Sequence, residues 1–198
     1  MGWLKDTALF QGLRAWRKRQ RYRSIEKLPS RVFMQTSLLS ALAKRGCRRM
    51  FSVGAQSYNL PFYRDCGALD IGVWSMDYDP LSARYGAPQG HFVGDVRQVD
   101  TLVAGQKFDV IILNGIFGFG INTKENAVLT IEAIERIAAP GAVFVVGWNP
   151  GLTSDAEILV VRARLKSLAL VDNSPAIEFP PQGQQAYPHR YEFFSFAA

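Results

Sequence analysis

The chain has 198 residues, 48% of them hydrophobic, and a formal net charge of +6. Its length suits one domain on a prior of roughly 100–200 residues per domain, and its composition supports a full core and excludes a disordered protein. No apolar run approaches the roughly 20 residues of a membrane-spanning helix, and the two cysteines, Cys47 and Cys66, lack metal-ligand spacing and read as reduced, structural thiols.

The charge is unevenly placed. Residues 1–49 carry 13 Lys or Arg against two acids, a surplus of +11, whereas residues 50–198 carry 10 against 15, a balance of −5. The basic residues Arg14, Arg17, Lys18, Arg19, Arg21 and Arg23 are interleaved with Trp3, Phe10, Leu13, Trp16 and Tyr22. Residues 1–29 are therefore expected to form a basic amphipathic extension, with residues 30–198 as the domain proper. Such a helix can dock its apolar stripe on the domain, lie on an anionic membrane surface or meet a protein partner. No recognised nucleic-acid motif accompanies it, so nucleic acid is not the expected partner. The start lacks the pattern of a secretory signal, and the expected location is the cytoplasm, with peripheral membrane contact as an option.

Ser30 is expected to cap a helix over Arg31–Lys44 whose inner residues are Val32, Leu38, Leu39 and Leu42, ended by Gly46. Short apolar runs then predict strands at Met50–Val53, Ile71–Met76 and His91–Val93, with only the brief segment Leu60–Gly67 between the first two. The stretch Phe108–Pro150 predicts a βαβ unit. Its strands, Phe108–Leu113 and Val143–Trp148, are β-branched-rich and non-alternating, as parallel strands covered on both faces are. Between them Val128, Ile131, Ile134 and Ala138 recur at helical spacing, capped by Asn122 or Thr123 and stopped by Pro140-Gly141. A helix over Asp155–Leu168 follows, with Ile158, Leu159, Val161 and Leu165 as its inner stripe. Strands near Leu168–Val171 or Ile177–Phe179, and at Tyr191–Phe196, complete the order.

The residues at the carboxyl ends of these strands suit a nucleoside-bearing ligand, because open α/β folds bind there. Gly54 permits close backbone approach, or simply a tight turn. Asp77 can accept both hydroxyls of a ribose, or cap a helix; Asp79, just before Pro80, suits the cap better. Asp95 can accept from an adenine amine with Val96 against the ring, or close a turn. Met76 and Tyr78 flank this pocket or belong to the core, and Gln56 lies in the loop after the first strand. In the loop after the fourth strand, Asn114 can orient an acceptor, with Phe117 and Phe119 as walls. His91 and His189 are the two histidines. His91 reads as a strand-end residue, whereas His189, in the loop before the last strand, can fold over the site. Trp148-Asn149 either lines the acceptor pocket or closes the sheet.

From about residue 30 onward the chain resembles the class I S-adenosylmethionine-dependent methyltransferases. Gly54, Asp77, Asp95, the FDVIILNG block and the Pro-Gly before the fifth strand carry the resemblance. It implies a three-layer, Rossmann-like α/β fold with a seven-stranded sheet whose last strand is antiparallel. It also implies S-adenosylmethionine as cofactor, held by Gly54, Gln56, Asp77, Tyr78, Asp95, Val96 and Asn114. Asn114 and His189 are the expected catalytic residues, and a small molecule, a sugar or other hydroxyl compound, is the expected acceptor. The first loop departs from the family: where several glycines are usual, GAQSYN keeps one, which narrows the methionine end of the pocket. A nicotinamide-dependent oxidoreductase, which lacks support from a GxGxxG motif, and a non-catalytic scaffold are the alternatives.

Overall fold

The computed structural model describes residues 24–183 and 185–196; the basic run up to residue 23 lies outside the described residues. Eight strands form one sheet: β1 (Arg49–Val53), β2 (Gly72–Asp77), β3 (Gly90–Val93), β4 (Phe108–Asn114), β5 (Ala138–Trp148), β6 (Lys166–Ser167), β7 (Ala176–Phe179) and β8 (His189–Ser195). Their order is β3-β2-β1-β4-β5-β8-β6, with β7 also pairing with β8. The first five strands are mutually parallel, and β8 runs antiparallel to β5. The expected antiparallel last strand is present. The sheet has one strand more than the seven expected, because the C-terminal segment contributes the two short strands β6 and β7, both paired with β8.

Alternate residues of the central strands go to opposite faces, and both faces are covered. Phe51, Ile111, Leu113, Phe144 and Val146 pack against α4 (Val99–Leu102), α5 (Lys124–Glu135) and α6 (Asp155–Arg164) through Val99, Ala127, Ile131, Ile134, Ile158 and Val161. Met50, Val110, Ile112, Val145 and Phe193 pack on the other face against α1 (Pro29–Phe33), α2 (Leu39–Lys44), α3 (Leu60–Gly67) and the turn between α1 and α2, through Phe33, Leu38, Leu39, Leu42 and Phe62. Two buried faces require apolar residues at every position, which is why the runs do not alternate. Each fully buried side chain of this size contributes about 1.5–3 kcal/mol.

Several local expectations shift. The helix expected from Arg31 begins at Pro29 with Leu28 at its N-cap, so Ser30 sits inside it, buried, and does not cap. Between α1 and α2 the chain makes a π-helical turn over Met34–Leu38. Val32 is 47% exposed and Leu159 57%, so neither belongs to an inner stripe; Val160 is buried where Leu159 was expected. Thr123 caps α5, its hydroxyl accepting from the Asn126 amide at 3.2 Å. That helix ends at Glu135, and Pro140-Gly141 falls inside β5, whose first half extends beyond the apolar run. Leu60–Gly67, read as too short for much helix, forms the eight-residue α3 with proline in its first turn. Both cysteines are free and buried. Among the described residues no helix is long and apolar enough to cross a membrane.

Where β4 meets β5, Asn114 pairs with Gly147. A Cβ on Gly147 would lie 2.3 Å from Asn114 Oδ1 and 2.9 Å from Tyr191 Cε1. Gly147→Ala is therefore expected to destabilise the protein by about 1–3 kcal/mol through overpacking, read as a lower midpoint in urea unfolding. A midpoint unchanged from the parent would show that Asn114 is not seated against this strand.

Candidate functional site

A cleft of about 910 Å³ opens at the carboxyl ends of the parallel strands. It lies over the junction of β1 and β4, where successive connections turn to opposite sides of the sheet and ligands bind in open α/β folds. The glycine ending β1 has a positive φ of 88°, and its amide donates to Met76 O at 2.8 Å. This left-handed turn suits glycine and keeps the chain close to the end of β2. Beyond it the Gln56 amide donates to Asn59 Oδ1 at 3.2 Å, closing a short turn over Ser57–Asn59.

Asp77, 8% exposed at the end of β2, holds the two loops together. Its Oδ2 accepts from the Ala55 amide at 2.8 Å and its Oδ1 from the Asp79 amide at 3.0 Å. A carboxylate has about four lone-pair sites, so two backbone donors leave acceptor capacity for a ligand. Asp79 caps the turn over Pro80–Tyr85 by accepting from the Leu81 amide at 2.9 Å. Asp95 accepts from the Arg97 amide at 2.9 Å and pairs with the Arg97 guanidinium, which also donates to Asn126 Oδ1 at 2.7 Å. The hydrogen bonds from Arg97 hold the Asp95 carboxyl below the usual carboxylate range. Val96 lines the cleft beside it, and Tyr78 stands 77% exposed at its mouth.

The other half of the cleft is built by α1, β4 and β8. Asn114 Nδ2 donates to Tyr191 Oη at 3.2 Å and lies 3.2 Å from Met34 Sδ. The Tyr191 hydroxyl, fully buried, donates in turn to Ser30 O at 3.2 Å. Burial pushes this hydroxyl up to about 12. Asn114 Oδ1 and His189 Nε2 are both buried without a hydrogen-bond partner among the described residues. His189 is not in a loop: it is the first residue of β8, buried, its ring edge-on to Tyr191 with centroids 4.7 Å apart. Burial, aided by the nearby Arg31 cation, lowers its pKa to about 3. Arg31 lies over the Tyr58 ring, its guanidinium carbon 4.5 Å from the centroid.

The cleft thus brings Gly54, Gln56, Asp77, Tyr78, Asp95, Val96, Asn114 and His189 to one place. It leaves out Phe117, which is fully buried in the core; Phe119, 57% exposed, does line the cleft. Asn149 lines it as well, donating to Pro188 O at 2.8 Å, while Trp148 is turned into the sheet and donates to Glu192. His91 stays at its strand end, its Nδ1 2.8 Å from Ser75 Oγ. Ser30, Arg31, Met34 and Tyr191 escaped the reading of the sequence. Arg31 is one basic residue among many near the N-terminus, and Tyr191 is one aromatic in an aromatic strand, so no spacing singles them out.

No protein-family model matches the chain, and no curated protein matches its sequence. Solved structures do match its fold. The N-methyltransferase NodS from Bradyrhizobium japonicum WM9 is 12% identical, with 91% of this chain and 97% of that chain covered at a TM-score of 0.62. A TehB-like SAM-dependent methyltransferase from Corynebacterium glutamicum ATCC 13032 is 18% identical, with 93% and 99% covered at 0.62. An S-adenosylmethionine-dependent methyltransferase from Clostridium acetobutylicum ATCC 824 is 8% identical, with 90% and 99% covered, also at 0.62. With the sheet order and the antiparallel β8, these matches establish that the chain has the fold of the class I S-adenosylmethionine-dependent methyltransferases.

Proposed function

We propose that this protein transfers a methyl group from S-adenosylmethionine to a small molecule. The observation that carries the reading is the pair formed by Gly54 and Asp77: a left-handed glycine turn stapled to a nearly buried carboxylate that retains acceptor capacity, at the switch point of a methyltransferase-type sheet. When bound, the cofactor would supply a methyl group activated by a sulfonium. The chain's part is to hold and orient. Asp77 would accept from ribose hydroxyls and Asp95 from the adenine amine. Val96 and Tyr78 would contact the ring, Gln56 would border the methionine end, and Asn114 would lie beside the reacting centre. Methyl transfer is a displacement in which positioning of the nucleophile supplies much of the rate.

A sugar or other hydroxyl acceptor is the class to which the sequence resemblance points, and it would have to lose a proton. His189 lines the acceptor side of the cleft, but a ring held near pKa 3 takes few protons at neutral pH. In our reading His189 is a neutral hydrogen-bonding wall for the acceptor. The reading thus favours an oxygen that needs no base.

We further propose that the basic extension meets an anionic membrane face or a protein partner in the cytoplasm. Vesicle flotation of the full chain is expected to fall when residues 1–23 are deleted, and unchanged flotation would remove the membrane contact.

Calorimetric titration is expected to register S-adenosylmethionine and S-adenosylhomocysteine but not NAD; binding of NAD alone would favour the oxidoreductase. Asp77→Ala should weaken binding by about 1–3 kcal/mol, the cost of losing charged hydrogen bonds. Affinity equal to the parent would leave Asp77 with only its loop-bridging role. His189 gives a pH signature. Its folded pKa is depressed from 6.5 to about 3, so below 6.5 the unfolded chain takes up a proton that the folded chain refuses. Its contribution therefore makes the protein less stable as pH falls from 6.5 towards 3, by about 1.4 kcal/mol per unit. Urea unfolding at several pH values should show a shallower decline in His189→Gln, and identical slopes would mean the ring is freely protonated.

A further inference from the structure

Among the described residues two guanidinium groups line the cleft, and they differ in their surroundings. Arg97 is paired with Asp95 and hydrogen-bonded to Asn126. Arg31, from α1, forms no ion pair among the described residues. Its guanidinium carbon lies 4.5 Å from the Tyr58 ring centroid, and its Nη1 donates to Met34 Sδ at 3.8 Å. Stacking engages the face of the guanidinium and the thioether takes one donor, which leaves other in-plane N–H groups of the five to serve a ligand. Met34 Sδ is also 3.2 Å from Asn114 Nδ2, so Arg31 is linked through one side chain to the residue ending β4.

Charge in the cleft is segregated. The carboxylates among the described lining residues, Asp77, Asp79 and Asp95, all follow β2 and β3. Arg31 is grouped instead with Asn114, through Met34, and with His189, whose proton affinity is lowered by burial first and by the Arg31 charge second. One end thus suits a nucleoside and its sulfonium, and the other suits an anion. An in-plane guanidinium edge matches a carboxylate, which it can hold through two parallel N–H···O bonds.

We infer that the acceptor is a small carboxylic acid, held in its carboxylate form by Arg31 and methylated on oxygen. This inference rests on the methyl-transfer reading. The acceptor oxygen would form the new O–CH3 bond as the methyl–sulfur bond breaks. The electron pair of that bond stays on sulfur, the sulfonium and carboxylate charges cancel, and a neutral methyl ester and a neutral thioether result. No proton moves, which agrees with a site whose buried imidazole and phenol titrate far from neutral pH on opposite sides.

The test uses the full chain loaded with S-adenosylhomocysteine. Ligand-observed NMR compares matched pairs, benzoate with benzamide and hexanoate with hexanamide. The acids are expected to bind at least tenfold tighter than their amides. In Arg31→Gln that preference should fall to about equal binding and in Arg31→Lys be partly kept, while affinity for S-adenosylhomocysteine stays within threefold and thermal melting confirms that both variants are folded. With S-adenosylmethionine and the acids, the methyl product should be a base-labile ester. Equal binding of acids and amides, or no binding of either by the loaded parent chain, would overturn the inference. So would an Arg31→Gln variant that loses affinity for S-adenosylhomocysteine but keeps it for methylthioadenosine, because Arg31 would then hold the cofactor's own carboxylate. A parent chain that fails to bind S-adenosylhomocysteine at all would instead bring down the methyl-transfer reading itself.

Discussion

The Tyr191 hydroxyl lies where the first helix, the end of β4 and the start of β8 come together, and it bonds to each neighbour in a fixed sense. It accepts from Asn114 Nδ2 and donates to Ser30 O, both at 3.2 Å. A fully buried hydroxyl left without partners would cost about 1–3 kcal/mol, so its two bonds tie Asn114 to α1. The seat for Asn114 is provided by Gly147, the one neighbour on β5 whose missing side chain leaves room for the amide oxygen. His189 packs edge-on against the same tyrosine ring, two residues earlier on β8. Asn114, His189 and the segment carrying Arg31 therefore take their positions from one buried phenol. The antiparallel β8 matters to the site because it brings that phenol across the sheet from β4.

The opposite half of the cleft is held by a charge in place of a neutral hydroxyl. Asp77 receives backbone amides from the loops after β1 and after β2, so the turn at Gly54 and the turn at Asp79 are set by one carboxylate. Asp95 is tied locally, by its own turn and by Arg97. The two halves differ in kind: an acidic side assembled from strand-end loops, and a side walled by α1 and β8 that carries a cation and a neutral imidazole. On the proposed reading, such a division would order a cationic sulfonium donor and an anionic acceptor within one cleft, without a base.

Much of the fold was legible before any coordinates. The runs Phe108–Leu113 and Val143–Trp148 are β-branched at consecutive positions, and only a strand buried on both faces tolerates that pattern. The residues of the acidic side were legible too, since Gly54, Asp77 and Asp95 each lie at a strand's carboxyl end or within two residues of it, where local geometry sends them to one edge of the sheet. Boundaries were less legible. Pro140-Gly141 looks like a helix stop but lies in β5, because the helix had already ended at Glu135. Leu60–Gly67 looks too short for much helix, yet Phe62, Tyr63 and Cys66 give it a buried face.

The sequence by itself determined the α/β order, the parallel core and the acidic residues at the ends of the strands, because these depend on neighbours close in the chain. Only the tertiary structure decided the side walled by α1 and β8. Tyr191 and Ser30 are 161 positions apart, and Asn114 and Met34 are 80 apart, so no local pattern joins them. The environment of His189 is likewise a product of packing: burial against Tyr191, with the Arg31 charge nearby, keeps the ring neutral. A ring's proton affinity depends on what surrounds it in space, and a sequence lists only what precedes and follows it.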